Sequence, residues 1–265
     1  MARILKKNTF HESLKIQFRV IGALLMREIL TKYGRHNIGF MWIFVEPMLF
    51  ILGVSVLWSF VKTGHDHGIS IISFALTGYS SVLLWRNAVS SCAGAITANL
   101  TLLYHRNIHI LDLYFARLLL NLTGTTIAFI FLMIFFILIK VMELPKDLLL
   151  MFEGWFLLVW FAVSLGFVIG SLIEMSKFID RVWHTFTYLM FPLSGAVFML
   201  DWMPENVREI LLWIPMVHAT EMIRGGYYGD IIPTYYDPFY LIYINIVLLF
   251  CGLLLVKQIQ QKIIP

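Results

Sequence analysis

Six apolar stretches, each close to the length a lipid bilayer demands, constrain this chain more than any other feature. They run over about 41–61, 70–98, 116–139, 149–173, 183–200 and 239–256, the second overlong and the fifth short. A helix needs about 20 mainly apolar residues to cross the hydrocarbon core. No water is there to bond the backbone, so a spanning segment must satisfy its own hydrogen bonds. The stretches therefore read as six transmembrane helices. Sixty per cent of the 265 residues are hydrophobic and 14% are charged, with a mean hydropathy of +0.81. A soluble domain carries about 25% charged residues, and one of this size leaves roughly a quarter of its extended-chain surface wet. This composition excludes a water-soluble enzyme, a nucleic-acid binder and a disordered chain. The expected fold is a single all-α membrane domain over residues 1–265.

An even number of spans puts both termini on one side. Arg3, Lys6, Lys7, Lys15, Arg19, Arg27, Lys32 and Arg35 precede span one, and Arg106, Arg117, Lys177, Arg181, Lys257 and Lys262 share their side. Lys62, Lys140, Lys146, Arg208 and Arg224 lie opposite, and Arg86 falls within span two. Fourteen cations against five predict cytoplasmic termini. Residues 11–35 form no span. Leu14, Phe18, Ile21 and Leu25 recur on one helical face, with Glu12, Lys15 and Arg19 on another. Such a helix lies along the inner membrane surface or packs on protein. Between spans five and six, 201–238 mixes apolar and charged residues and is punctuated by Pro204 and Pro215. Two short helices dipping into the outer leaflet fit this pattern, as does a membrane-anchored loop.

The chain carries no Gly-x-x-x-x-Gly-Lys-Ser/Thr phosphate loop, so any energy for transport comes from a gradient or a partner. Gradient-driven carriers place ionisable groups near the bilayer midplane, whereas Glu46, Glu153 and Arg86 sit towards span ends. Ser194 with His184 makes a poor protease dyad, because Pro192 stands where membrane serine proteases carry Gly. His105 with His109, and His65 with His67, lack the convergent third and fourth ligands of a zinc site. Cys92 and Cys251 sit in apolar surroundings and read as buried reduced thiols. Gly166 and Gly170 permit close helix approach, within a protomer or between two. Trp42, Trp58, Tyr79 and Trp85 suit either an interfacial aromatic belt or a path whose rings pack on sugar faces.

Two segments carry a family resemblance. The first is Lys32-Tyr33-Gly34-Arg35-His36-Asn37-Ile38-Gly39-Phe40-Met41-Trp42-Ile43-Phe44-Val45-Glu46-Pro47. It resembles the entry to the first span of ABC-2 type export permeases: a basic residue and Tyr, Ile-Gly, a Trp three residues on, and a Pro five after that. The second is Pro192-Leu193-Ser194-Gly195, then Met203-Pro204, then Ile214-Pro215 followed by His218, Glu221 and Arg224. It is similar to the family's segment after span five, with Ile214 where Asn is common. Length, six spans and the 11–35 helix agree from end to end, and the match is closest to the KpsM-type permeases of Gram-negative group 2 capsule export.

The resemblance implies a homodimer in the bacterial inner membrane with two copies of a separate ABC ATPase, which holds ATP and Mg. No cofactor is expected on this chain. The cargo implied is a lipid-linked acidic polysaccharide, handed to periplasmic and outer-membrane export proteins along a path flanked by spans one and five. Trp42, Glu46, Trp58, Tyr79 and Arg86 are the candidate path residues. The loop after span two, 104–114, is similar to the family's coupling helix, with Asn107, Ile108, His109 and Asp112 as candidate ATPase contacts. Arg208, His218, Glu221 and Arg224 fall in the external gate segment. Arg86, Arg208 and Arg224 are candidate cations for the polymer, and Arg224 is equally placed to pair with Glu221 at i, i+3. O-antigen or teichoic acid export is the alternative within transport, and an intramembrane glycan-modifying enzyme the alternative outside it.

Overall fold

The computed structural model describes residues 10–33, 69–105 and 108–263, with 41, 42, 45, 48–50, 52–54, 56 and 57 between them. The described residues form helices and turns, with no strand among them. In chain order the helices are α1 (Phe10–Tyr33), α2 (Ile71–Cys92), α3 (Leu100–His105), α4 (Ile110–Leu138), α5 (Leu148–Met175), α6 (Lys177–Phe191), α7 (Glu205–Leu211), α8 (Pro215–Tyr228) and α9 (Pro238–Ile263). The described residues between 41 and 57 are also helical.

α5 is the axis of the bundle. It is apolar nearly all round, which suits a helix packed by neighbours on several sides. α2, α8 and α9 lie against it, α4 packs on α2, and α1 lies against α4. Its start is set by Asp147, whose carboxylate accepts from Leu149 N at 2.9 Å and Leu150 N at 3.0 Å. Gly166 and Gly170 use their closeness within the protomer: a Cβ at 170 would lie 2.8 Å from Cys92 Cβ, and one at 166 would lie 3.2 Å from Cys92 Sγ and a Leu118 methyl. Phe129 of α4 stacks on Trp155 of α5 at 4.3 Å. α9 starts at Asp237, which accepts from Phe239 N and Tyr240 N, with Pro238 pre-set for the first turn.

Among the described residues, three helices are long and apolar enough to cross a bilayer: α4, α5 and 238–262 of α9. Their outward faces carry exposed Ile127, Phe131, Phe152, Phe156, Phe239 and Phe250, a surface that only lipid or a second apolar body covers favourably. α5 and α9 match the expected spans closely. Three other boundaries need correction. α2 ends at Cys92 rather than 98, because the chain turns at Gly94, whose φ of +63° suits a residue without Cβ. α4 begins at Ile110 rather than 116, so part of the expected coupling loop is already helix. α6 covers Lys177–Phe191 rather than 183–200, and its charged first turn hid its start. Pro192 and Gly195 (φ +85°) end it in a π-type turn while the apolar run continues.

Cys92 is buried as expected, but Cys251 is exposed on α9, among the bundle's outward apolar side chains. α1 is a helix as expected. It packs on α4 through Gln17, Val20, Leu24 and Glu28, and leaves Leu14, Phe18, Met26 and Leu30 exposed.

The close contact of α8 with the start of α5 makes a testable demand. A Cβ at Gly226 would lie 2.5 Å from Met151 N and 2.7 Å from Asp147 O, both backbone atoms that cannot give way. Gly226→Ala should cost about 1–3 kcal/mol, read as a lower thermal midpoint of the full chain in detergent. Gly22→Ala, with nothing within 4 Å, should leave that midpoint unchanged or higher.

Candidate functional site

α8 concentrates the buried charge of the described structure. Pro215 opens it, and every residue from Met216 to Tyr228 is buried. Arg224 is 0% exposed and Glu221 is 1% exposed. The Arg224 guanidinium donates from Nη1 to Phe198 O and from Nη2 to Ala196 O at 3.3 Å. It lies 4.4 Å above the Phe74 ring, and Nη1 sits 3.9 Å from Glu221 Oε1. Glu221 accepts from Leu200 N and, on its other oxygen, from Tyr235 N, each at 3.4 Å. The pair thus ties α8 to the turn after α6 and to the segment before α9. The pairing open in the sequence is present, and the guanidinium faces backbone carbonyls inside the protomer.

His218 extends the same network. Asp237 N donates to Nδ1 at 2.9 Å, so Nδ1 is an acceptor and Nε2 carries the proton it donates to Leu212 O at 2.7 Å. Burial holds its pKa below the ordinary histidine value, which keeps this neutral tautomer. Arg208 of α7 stands 4.2 Å over the Tyr235 ring. Arg208, His218, Glu221 and Arg224 therefore gather at one end of the bundle.

The coupling candidates lie at the start of α4. Asp112 is buried, accepts from His109 N at 3.0 Å and from Gln17 of α1, and closes a capping box. His109 is exposed, and its Nδ1 meets Gln260 Nε2 of α9 at 2.7 Å. Ile108 is buried, and Asn107 lies outside the described residues. Glu28 of α1 pairs with Arg117 of α4 at 3.2 Å, and Arg27 donates to Asn99. One corner thus joins α1, α4 and the end of α9. The resemblance implied one coupling helix within 104–114. Instead α3 ends at His105, and Asp112 faces inward as part of the α4 cap.

α6 presents three sectors. Trp183 and Thr187 are buried, with Ile179 and Met190 half-buried beside them. Phe178, Val182, Phe186 and Leu189 form an exposed apolar sector. Lys177, Arg181, His184, Thr185 and Tyr188 form an exposed polar sector, with Asp180 at its edge. Asp180 and His184 approach to 3.9 Å, and the Arg86 guanidinium lies 4.9 Å over the Tyr188 ring. Tyr79 is buried against Phe50 and Phe191, Trp42 is exposed, and Glu46 and Trp58 lie outside the described residues. Asp180 and Tyr188 escaped the sequence reading, and His184 was weighed there only against Ser194, although their spacing of four was its signal. No group of three metal-ligating side chains occurs among the described residues.

Cutting one member of the Glu221–Arg224 pair strands the other. Arg224→Met should cost about 3–5 kcal/mol, and adding Glu221→Leu should recover part of that loss. The monodisperse fraction surviving a heat step in detergent measures both. A double variant weaker than the single would show that the pair is not coupled.

The family profile described as ABC-2 type transporter matches residues 19–228. The capsule polysaccharide export inner-membrane protein CtrC of Neisseria meningitidis serogroup B is 45% identical over 99% of both chains. The capsule polysaccharide export inner-membrane protein BexB of Haemophilus influenzae is 42% identical over 98% of both. The polysialic acid transport protein KpsM of Escherichia coli is 25% identical over 94% of this chain and 97% of its own. With the profile covering most of the bundle and the relatives aligned end to end, this chain belongs to the ABC-2 type transporter family.

Proposed function

We propose that this chain is the membrane subunit of an ATP-driven exporter that moves capsular polysaccharide across the bacterial inner membrane. It is a transport component and not an enzyme. The observation that carries the reading is the polar sector of α6. In a bundle clad in exposed Phe, Ile and Leu, α6 turns His184, Thr185 and Tyr188 outward, with Lys177 and Arg181 nearer its start, a polar face that lipid covers poorly. That face suits a wet path, and the exposed apolar sector beside it suits lipid or a second subunit. Cations and a tyrosine ring on one face match an acidic sugar polymer: the cations neutralise it, and the ring packs on pyranose C–H faces. The 42–45% identity to proteins named for capsule polysaccharide export points to the same cargo class.

In this reading six spans enclose the path in a homodimer. The region 41–61, α2 and α6 add three spans to α4, α5 and α9, and both termini are cytoplasmic. Trp42, Glu46, Trp58, Tyr79 and Arg86 flank the path with α6. α1 lies in the inner interface, and α7 and α8 form the external re-entrant gate. Two ATPase copies, which bind ATP and Mg, dock at the corner around Asn107, Ile108, His109 and Asp112. They drive a lipid-linked polymer towards periplasmic and outer-membrane partners.

Two measurements test this. The full chain, tagged and extracted from a capsulated cell, should bring down an ATPase, and His109→Glu should weaken that association. Arg181→Glu should cut surface capsule at least about tenfold, since like charges brought together cost several kcal/mol, without changing membrane insertion. Normal capsule in Arg181→Glu removes α6 from the path, and a chain that exports without any ATPase removes the proposal.

A further inference from the structure

A cavity of about 270 Å³ opens between α1 and the bundle, far from α6 and α8 in function. Glu28 and Thr31 of α1, Ser90 and Ser91 of α2, and Arg117 and Asn121 of α4 line it. Arg117 lies seven residues into α4, about 10 Å along the axis from its start. That is the depth at which lipid headgroups give way to acyl chains. Polar walls here stand out beside the exposed apolar side chains of α4, such as Leu119, Ile127 and Phe131.

The wall chemistry is two-signed. Arg117 Nε sits 3.2 Å from Glu28 Oε1, and both side chains are about a fifth exposed, at 18% and 19%. Arg117 Nη1 donates to Ser91 O at 3.1 Å and Ala93 O at 3.5 Å. A guanidinium has five N–H donors, so among the described residues its two Nη2 protons remain for an acceptor. Two of the three hydroxyls have spent their donors: Thr31 on Arg27 O at 2.8 Å and Ser91 on Ala88 O at 2.6 Å. What they offer the cavity is lone pairs. One side therefore takes an anion. The other side, a carboxylate flanked by hydroxyl oxygens, takes a cation with several protons.

We infer that this cavity seats the headgroup of a zwitterionic, ethanolamine-type phospholipid. Its phosphate takes Arg117 Nη2, and its ammonium takes Glu28 and the hydroxyl oxygens. A purely anionic headgroup would leave Glu28 facing like charge. A seated lipid would add a polar brace between α1, α2 and α4 beside the Glu28–Arg117 pair. The inference rests on the chain being embedded in a bilayer and not on its cargo, so capsule export and lipid retention fail separately.

The test uses the full chain in nanodiscs of equal phosphatidylethanolamine and phosphatidylglycerol, released into mild detergent for native mass spectrometry. The wild type should retain one phosphatidylethanolamine per chain. Arg117→Gln and Glu28→Gln should each lower that retention about tenfold, the effect of losing one charge-assisted contact. Ser90→Phe, which fills the cavity and keeps the ion pair, should displace the lipid equally while the chain stays folded and monodisperse in detergent. Unaltered retention in all three variants, or a wild-type preference for phosphatidylglycerol, overturns the inference.

Discussion

A fully buried guanidinium holds one end of this bundle together. The turn after α6 contains Pro192 and a left-handed Gly195, so its carbonyls cannot all find helical N–H partners. Arg224 supplies the missing donors at Ala196 O and Phe198 O. Glu221 does the converse, accepting N–H groups of Leu200 and Tyr235 that no helix uses. Each charge satisfies broken backbone, and each neutralises the other. Buried irregular backbone persists only when protein groups stand in for water, and one ion pair does this for two segments. The break in α6 and the Glu-x-x-Arg of α8 are therefore two halves of one device.

That device needs α8 to sit deep, and small residues let it. Gly226 lies on the backbone of Asp147 and Met151, at the cap that starts α5. Asp147 N and Lys146 N also donate to Gly226 O and Tyr227 O. The end of α8 and the start of α5 are stitched backbone to backbone. A shift of α8 would thus reach α5, and through α5 the helices packed around it.

The sequence made the long helices legible because length and hydropathy decide them: α5 and α9 appeared almost as they are. The caps Asp147 and Asp237 formed no part of that reading and show only in the fold, where each carboxylate accepts from two N–H groups of the first turn. Boundaries failed where an apolar run outlasted its helix, as at Pro192, or where a helix began among charges, as at Lys177. Pairings failed for a different reason. Gly166 and Gly170 announce a close neighbour, but only the fold says that it is Cys92 of α2. Asp112 looked like a surface contact and is an internal cap, because its partner Gln17 lies 95 positions away in sequence.

The attachment of α1 follows from the same physics. Lipid covers Leu14, Phe18 and Leu30 as well as protein would, so apolar contact gives α1 little preference for one docking position. Polar contacts must choose it, and they do: Gln17 with Asp112, Arg27 with Asn99, Glu28 with Arg117. Each anchors on α4 or on the short turn before α3. The Asp112 that holds Gln17 also fixes His109, which in turn meets Gln260 at the end of α9. A push on the exposed His109 therefore acts on α1, α4 and α9 together. A lever of that kind has to be polar, because only directional contacts hold register in a medium where greasy surfaces slide freely.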